Sequence, residues 1–486
     1  MSPEHRRPLA TALSLAALLA VGGCSTPAED APSPKPSESG AAQPPAEPIV
    51  PATRFDTDAS VTLQRDFLGE GAERLPVALR GGVAYYTSGD RLIAHDTIRD
   101  ESLWTLSTEE TFDAENPGHS AVLVETDDGP VVFGAFRTHT TASGTTRASS
   151  KVEVIAADAD SGDLLWHAVH DHEEYEEYTP RVVGVSGDSV ILNAGTTLAL
   201  DLAGGEVTWS DESEPRLVMG STVIGTVSHF DRSTWMRAVD AATGEELWTA
   251  WEDYAEDLAS DQRLDLLAEF QEGGAEPGEV ADAAAEYYGY FVHSQRQGAP
   301  VREEFFPAGP GRFAVVAFNY LNTNLHMQVA GGKEPTQVFG TVLLVSAETG
   351  RIEYSFAFDP EIRERMDNDW GGWVDGRCRH DGERTLACWG WAPQIRSTVV
   401  FALDTEEGAL RWVEEFGGEA ERADIDPTGA WRGALYGEAG GGAVVLDLDD
   451  GADLETLAEM APATTNGVVA VEYGENGEFT VAPVTG

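Results

Sequence analysis

The stretch Val239-Asp-Ala-Ala-Thr-Gly-Glu-Glu-Leu-Trp248 is the clearest copy of a phrase that recurs along the 486-residue chain. In six copies an aromatic residue lies eight positions after an Asp or Ser, and in five of these a Gly lies four positions before the aromatic. The seven copies begin at Asp96, Asp158, Asp201, Asp240, Ser346, Asp404 and Asp447. Seven copies of one phrase along a chain indicate a repeat architecture.

A tight β-hairpin accounts for the fixed spacing. Apolar runs such as Thr341-Val-Leu-Leu-Val345 precede the phrase, as expected of half-buried strands. The Asp carboxylate can accept hydrogen bonds from backbone groups two residues on, and Gly supplies the positive φ that closes the turn. The second strand then carries the aromatic residue inward between neighbouring units. The sequence therefore predicts an all-β fold.

The phrase resembles the tryptophan-docking repeat of the PQQ-like β-propeller family, which includes quinoprotein dehydrogenases and BamB-like assembly lipoproteins. The resemblance runs from about Val61 to the C-terminus. It implies a single β-propeller over residues 54–486, built of four-stranded antiparallel blades, with seven blades favoured over eight. It also implies that six aromatic residues dock one blade onto the next: Trp104, Trp166, Trp209, Trp248, Tyr354 and Trp412.

Some copies depart from the family pattern. Ser346 replaces Asp, Tyr354 replaces Trp, the first copy has no Gly before Trp104, and the last copy has no aromatic residue. We expect irregular blades at these copies, and we expect the last copy to lie in a blade that closes the ring with strands from both termini.

The spacing of 106 residues between Asp240 and Ser346 leaves room for an eighth blade or an insertion. The pattern over residues 252–288 favours an α-helical insertion, because Leu264, Leu267 and Phe270 fall on one helical face. Such a helical hairpin could bind a partner, or it could be a lid that packs on its own blade.

Residues 1–23 have the features of a lipoprotein signal peptide. Arg6 and Arg7 precede an apolar stretch from Leu9 to Val21, which is too short for a membrane-spanning helix. The stretch ends at a lipobox-like Val-Gly-Gly-Cys24, which predicts lipidation of Cys24; an ordinary secretory signal with an incidental Cys is the alternative. Residues 24–53 are rich in Pro, Ala and Ser, and are expected to form a disordered tether.

Cys378 and Cys388 flank a predicted hairpin turn at Asp381-Gly382. An exported protein meets an oxidising environment, so we expect these two residues to form a disulfide. A metal site would need more ligands nearby, and a thioredoxin-like redox motif would have two residues between its cysteines.

The chain is strongly acidic, with 84 acidic and 31 basic residues and a formal net charge of −53. This charge argues against nucleic-acid binding, which needs a basic surface. It also argues against lying flat on anionic lipid, so we expect membrane attachment through the lipid anchor only. A basic partner, bound cations or a plain solvated surface are all compatible with it.

The best candidate metal ligands are His167, His170 and His172, which are three of the eleven histidines of the chain. Imidazoles with nearby carboxylates suit Zn²⁺, Cu²⁺ or Ni²⁺. A polar loop just after a docking Trp is the alternative explanation.

No motif of a serine hydrolase, a zinc protease or a phosphate-binding loop is present in the sequence, and we predict no catalytic residue. The PQQ dehydrogenases hold their cofactor with an adjacent Cys pair, whereas no two cysteines are adjacent here, and we expect no cofactor. We therefore expect a monomeric, extracytoplasmic lipoprotein that binds protein partners or acts as a scaffold in the cell envelope. The resemblance suggests envelope protein assembly. The alternatives are a PQQ- or metal-dependent enzyme, or a sensor of a small ligand or metal, that uses the propeller funnel.

Overall fold

Every copy of the repeat phrase forms an antiparallel hairpin, as predicted. In the clearest copy, Met236 lies opposite Ala250 and Ala238 lies opposite Trp248. The computed structural model describes residues 48, 50–64, 77–112, 121–140, 149–171, 180–228, 234–250, 305–317, 341–356, 374–392, 396–418, 420, 422–440, 442–474 and 477–486.

The first four blades follow one another along the chain. Blade 1 consists of β2 (Ala78–Arg80), β3 (Val83–Ser88), β4 (Arg91–Asp96) and β5 (Glu101–Ser107). Blade 2 consists of β7 (Val122–Thr126), β8 (Gly129–Thr140), β9 (Ser149–Asp158) and β10 (Leu164–Asp171), with the short β6 (Thr111–Phe112) also paired to β8. Blade 3 consists of β11 (Arg181–Ser186), β12 (Ser189–Asn193), β13 (Thr197–Asp201) and β14 (Val207–Asp211). Blade 4 consists of β15 (Glu214–Met219), β16 (Thr222–Ser228), β17 (Thr234–Asp240) and β18 (Glu246–Ala250).

The other four blades complete the set. Blade 5 consists of β19 (Phe305–Pro307), β20 (Arg312–Ala317), β21 (Thr341–Ser346) and β22 (Ile352–Phe356). Blade 6 consists of β23 (Val374–His380), β24 (Thr385–Ala392), β25 (Ser397–Asp404) and β26 (Ala409–Gly417). Blade 7 consists of β27 (Ile425–Trp431), β28 (Ala434–Ala439), β29 (Gly442–Asp447) and β30 (Asp453–Ala458). Blade 8 consists of β31 (Thr464–Thr465), β32 (Val469–Tyr473), β33 (Glu478–Pro483) and β1 (Val61–Gln64).

The blades lie side by side in chain order. The first strands of neighbouring blades contact each other, as β11 does with β15 and β15 with β19. Blade 8 meets blade 1 where Asn466 Nδ2 donates a hydrogen bond of 3.0 Å to the backbone oxygen of Gly81. Strand β1 completes blade 8 by pairing with β33, with Val61 opposite Val481. Strands from both ends of the chain therefore close the ring.

The favoured count of seven blades is wrong, because the described residues form eight. The eighth blade does not lie in the long spacing between Asp240 and Ser346, since blades 4 and 5 contact each other through β15 and β19. It is the closing blade, and it has no copy of the phrase. The last copy, at Asp447, belongs to blade 7, whose four strands are consecutive in the chain.

The apolar core lies between the blades, because each sheet is apolar on both faces. Strand β9 shows the division: Val152 and Val154 pack with residues of blade 3, while Ile155 and Ala157 pack with residues of blade 1. This alternation is the period of two that a β-strand imposes on its side chains. Each blade is therefore stabilised by both of its neighbours.

The only helix within the described residues is a 3₁₀ turn at Thr57–Ala59, where Asp56 accepts a hydrogen bond of 3.1 Å from the backbone nitrogen of Ala59. That part of the chain contains no helix that is both long and apolar enough to span a membrane. The predicted signal peptide (1–23), most of the predicted tether (24–53) and the predicted helical insertion (252–288) lie outside the described residues.

Candidate functional site

The repeat turn is built by the Asp side chain and the following Gly. Asp240 Oδ1 accepts hydrogen bonds from the backbone nitrogens of Ala242 and Thr243, at 3.0 and 2.9 Å. Gly244 closes the turn with φ of 72°. This is the region of φ that L-residues rarely adopt and Gly adopts freely. The turn chemistry that the sequence predicts is therefore present.

In blades 1 to 6, the docking aromatic lies on the Gly of the next blade. Trp209 of blade 3 donates a hydrogen bond of 3.0 Å from Nε1 to the backbone oxygen of Ala241 in blade 4. A Cβ on Gly244 would lie 2.8 Å from Cδ2 of the same indole. The six aromatic–Gly pairs are Trp104–Gly162, Trp166–Gly205, Trp209–Gly244, Trp248–Gly350, Tyr354–Gly408 and Trp412–Gly451. Gly is thus needed for two reasons: it adopts the positive φ of the turn, and its lack of a Cβ leaves room for the docking ring.

The two incomplete copies of the phrase flank the closing blade. In blade 1, Asp100 occupies the Gly position with φ of 53°, and its Oδ1 lies 3.1 Å from Nε2 of His95. No docking aromatic precedes this turn among the described residues, so no ring requires a bare α-carbon there. In blade 7, Glu455 occupies the aromatic position and accepts a hydrogen bond of 3.1 Å from Nε of Arg54. The segment before β1 therefore contacts blade 7 at the position where the other copies carry the aromatic.

The phrase also concentrates carboxylates at the hairpin turns, where they are held by local donors. Burial works to raise the pKa of Asp404, but hydrogen bonds from Arg384, from the backbone of Glu407 and Glu406, and from Arg411 outweigh it and lower that pKa to about 2. Because such carboxylates accept hydrogen bonds within the turns, their concentration at the hairpins has a structural explanation.

The predicted disulfide is present in blade 6. Cys378 and Cys388 lie directly opposite each other on β23 and β24 and are bonded. Both cysteines are fully buried in the core between blades 5 and 6. Asp381 at the tip of the same hairpin is also buried, and its Oδ2 accepts a hydrogen bond of 3.1 Å from the backbone nitrogen of Gly433 in blade 7. The disulfide-linked hairpin therefore joins three blades.

A polar group that sequence reasoning missed lies between blades 1 and 2. Glu153 is fully buried, and its carboxylate accepts hydrogen bonds from the backbone nitrogens of Glu109 (2.6 Å) and Glu110 (3.1 Å). The same carboxylate lies 2.7 Å from Nε2 of His167. The signal available in the sequence is a lone acidic residue inside the apolar strand Val152-Glu-Val154. Glu153 thereby attaches the connection that follows blade 1, at Glu109 and Glu110, to the sheet of blade 2.

The three candidate metal ligands do not share one environment. His167 contacts Glu153 and lies 3.6 Å from Oε2 of Glu109 through its Nδ1 atom. His170 has a buried Nε2 atom with no hydrogen-bond partner, and burial lowers its pKa. His172 lies outside the described residues. Within the described part of the chain, no group of three or more His, Cys, Asp or Glu residues is arranged to hold a metal ion, and metal binding by these histidines stays a prediction.

Cys24 likewise lies outside the described residues, and its lipidation stays a prediction. What the described residues do offer is an interlocked ring with an acidic surface and exposed outer strands. Such an arrangement can bind a partner along a sheet edge or through charge.

Residues 52–228 match the family model described as outer membrane protein assembly factor BamB. Among solved structures, BamB from Moraxella catarrhalis is 14% identical, with 87% of this chain and 100% of that chain covered and a TM-score of 0.40. Kuenenia stuttgartiensis hydrazine synthase is 12% identical over 78% of this chain and 99% of that chain, with a TM-score of 0.39. The Dos1 propeller is 10% identical over 87% of this chain and 95% of that chain, with a TM-score of 0.41. Structural likenesses this distant carry no argument about function. No curated protein sequence matches the chain.

Proposed function

Because this chain is a PQQ-like β-propeller that resembles the BamB-like family, we propose that it is a lipid-anchored protein of the cell envelope that binds other proteins without catalysing a reaction. The observation that carries the proposal is the match of residues 52–228 to the model of an outer membrane assembly factor. An assembly factor works by holding other proteins, and a propeller suits this role because its loops and outer strands surround a closed ring of blades.

Two features of the chain support a place outside the cytoplasm, and its charge bears on what it contacts there. The sequence begins with the predicted signal peptide and Cys24. The disulfide between Cys378 and Cys388 suits an oxidising compartment. The net charge of −53 favours basic partners, and it disfavours contact with anionic lipid beyond the anchor. In this proposal the lipid holds the propeller near the membrane and the tether lets it reach a partner.

The test is chemical crosslinking in intact cells that produce the full chain, followed by cell fractionation. We expect the chain in the membrane fraction, joined covalently to one or a few envelope proteins. A Cys24→Ser variant is the matched control, and we expect it to be released from the membrane. Recovery of the full chain without any crosslinked protein would contradict the proposal.

A second measurement separates binding from catalysis. The purified chain is dialysed against Zn²⁺, Cu²⁺, Ni²⁺, Ca²⁺ and PQQ, and bound metal and cofactor are read by mass spectrometry and absorbance. We expect no stoichiometric uptake. Stoichiometric metal that disappears in the double variant His170→Ala/His172→Ala would assign a metal-dependent function instead, and bound PQQ would assign a redox one.

A further inference from the structure

The outer strand of blade 2 has an open edge. Strand β10 pairs with β9 on one side, and no strand of the described chain pairs with it on the other. After an irregularity at Leu165, the residues from Trp166 to Asp171 pair with β9 without interruption. An edge strand directs alternate backbone N–H and C=O groups away from its partner strand, where they can pair with another chain. The backbone of β10 therefore offers a template for strand addition.

The side chains along β10 are unusually apolar for an edge. Three of the large hydrophobic residues exposed in the described chain lie on it: Leu164 (51% exposed), Leu165 (50%) and Val169 (37%). No other described strand carries more than one such residue. An exposed apolar edge strand can pair with strands of other chains, and natural sheets usually prevent this with charged residues or covering segments. Within the described part of the chain no strand covers this edge, and β10 itself carries no Lys or Arg.

The long outer strand of blade 6, β26, shows how an edge is protected from pairing in the same protein. On β26, Arg411 forms ion pairs with Asp404 and Asp449. Near the end of β26, Phe416 forms a β-bridge with Arg422, so the chain folds back over that end of the edge. Charged side chains and covering segments are the usual means of blocking edge pairing. Strands β10 and β26 are the outer strands of two blades in the same propeller. The difference between their edges therefore does not follow from the propeller fold.

Charge around β10 indicates what would pair with it. The Asp171 side chain at the end of the strand is 88% exposed, and the Glu109 side chain beside His167 is 76% exposed. Lys151 contacts Asp171 but is largely buried, with 21% of its side chain exposed. A second copy of this chain, with a net charge of −53, would be repelled. A segment with basic residues would be attracted.

The geometry points to β10 as a docking edge for an extended, basic segment of a partner protein, which adds to blade 2 as a further strand. Backbone hydrogen bonds supply affinity in this mode, and alternate side chains supply specificity. Apolar residues of the segment lie against Leu165 and Val169, and its Lys or Arg residues reach Asp171 and Glu109. This inference rests on the proposed function and assigns its binding surface.

The test uses the full chain and a synthetic peptide of alternating valine and lysine residues. Binding is followed by fluorescence anisotropy, and backbone protection is followed by hydrogen–deuterium exchange with mass spectrometry. We expect the peptide to slow exchange in β10. The control peptide has the same side chains but methylated backbone nitrogens, so it keeps the charge and cannot pair as a strand. We expect it not to protect β10.

The matched variants carry equal charge changes on different edges. The double variant Leu165→Lys/Val169→Lys places guarding lysines on β10, and Val207→Lys/Leu247→Lys places them on β14 and β18, at residues 46% and 44% exposed. We expect the first to weaken peptide binding about tenfold or more, because it loses two cross-strand apolar contacts and adds repulsion. We expect the second to bind like the parent chain. Both should melt within a few degrees of it, since the replaced side chains are exposed.

Several outcomes overturn the assignment. Equal binding of both peptides would show attraction by charge alone. Protection of β10 in the free chain that the peptide does not change would show that the chain covers its own edge. Self-association in sedimentation, lost in the β10 double variant, would assign the edge to a second copy. If crosslinking in cells recovers the same partners from the β10 variant as from the parent chain, the scaffold function stands and the edge assignment fails. If neither chain recovers a partner, the proposed function itself fails.

Discussion

The ring of Tyr354 lies so close to Gly408 that a Cβ on the glycine would stand 1.9 Å from the Tyr354 Cδ1 atom. Gly408 has φ of 64°, and the Tyr354 hydroxyl donates a hydrogen bond of 3.3 Å to the backbone oxygen of Glu406. In the five Trp copies the indole donates to the residue directly after the Asp or Ser position, as Trp209 does to Ala241. The phenol reaches one residue further because its donor lies at the far end of the ring. Tyr354 therefore performs the docking role with altered geometry.

We predict that Gly408→Ala destabilises the propeller by about 3–4 kcal/mol. The methyl group meets the Tyr354 ring, and alanine pays an added cost for positive φ. The matched control is Gly81→Ala, because Gly81 has φ of 54° and nothing within 4 Å of the added methyl. The control isolates the cost of φ and should lose only about 1–2 kcal/mol. Urea unfolding of both variants checks this, and equal losses would rule out the steric role of Tyr354.

We predict that Trp412→Phe lowers the free energy of unfolding by about 1–2 kcal/mol. Trp412 is 8% exposed, and its Nε1 donates a hydrogen bond of 3.0 Å to the backbone oxygen of Leu448. Phenylalanine keeps much of the packing but leaves that oxygen without its partner. Trp391→Phe is the control, because Trp391 is 37% exposed and is not a docking residue. The control should change stability by about 0.5 kcal/mol or less. Similar effects at the two positions would mean that the docking hydrogen bond contributes nothing.

The hairpins could be predicted from the sequence because their chemistry is local. Asp240, Gly244 and Trp248 lie within nine residues, and each acts on backbone or rings that the phrase itself positions. The closing blade could not be predicted in this way, since its outer strand β1 comes from the other end of the chain and pairs Val61 with Val481. The first copy departs from the phrase because Asp100 stands where the other copies have Gly. The structure gives it a reason, because no described docking ring rests on that turn.

The candidate sites show the same difference between local interactions, which the sequence predicts, and long-range ones, which it does not. Cys378 and Cys388 could be paired from the sequence because they face each other across one hairpin. The role of Glu153 could not be predicted, because its donors at Glu109 and Glu110 are more than forty residues away in the chain. The edge character of β10 also depends on which strands lie beside it, and strand neighbours follow from the tertiary fold.

We predict that Asp404 contributes to stability in a pH-dependent way. Burial works to raise its pKa, but hydrogen bonds from Arg384, from the turn backbone and from Arg411 together lower it to about 2 in the folded protein. In the unfolded chain an Asp titrates near 3.9. A lowered folded pKa gives stability that is present above about pH 4 and is lost as the pH falls through about 2. The melting temperature of Asp404→Asn should therefore lie below that of the parent chain at neutral pH, and the gap should close between about pH 4 and pH 2.

The control for Asp404→Asn is Asp188→Asn, which removes the same charge from an exposed turn residue of blade 3. Its melting temperature should follow that of the parent chain across the same pH range. A gap between Asp404→Asn and the parent chain that stayed constant down to pH 2 would show that the carboxylate charge is not the source of the effect.

We predict that Glu153→Leu destabilises the propeller by about 3–4 kcal/mol. The substitution leaves the backbone nitrogens of Glu109 and Glu110, and Nε2 of His167, without their shared acceptor in a buried site. Glu206→Leu is the control, since Glu206 is exposed on the turn of blade 3. Thermal unfolding, with hydrogen exchange at Glu109 and Glu110, gives the readout. Unchanged protection at these two amides would refute the bridging role of Glu153.

We predict that the propeller depends on the segment before β1, and that Phe55→Ala lowers its stability by about 3–5 kcal/mol. Phe55 is 4% exposed, and its ring meets that of Tyr436 in blade 7 at a centroid distance of 6.1 Å. The same segment is tied to the C-terminus, because the backbone nitrogens of Thr53 and Arg54 both donate to the oxygen of Gly486.

The loss of stability should appear first at the junction of blades 7 and 8, where Arg54 and Phe55 contact blade 7. Hydrogen exchange in Phe55→Ala should therefore speed up in β30 and β33 while the strands of blades 3 and 4 keep their protection. Val50→Ala is the control, since Val50 is 48% exposed and its truncation should leave both regions unchanged. Uniformly faster exchange around the whole ring would instead mean that the eight blades open as one cooperative unit, so that the closing junction is no weaker than the docked ones.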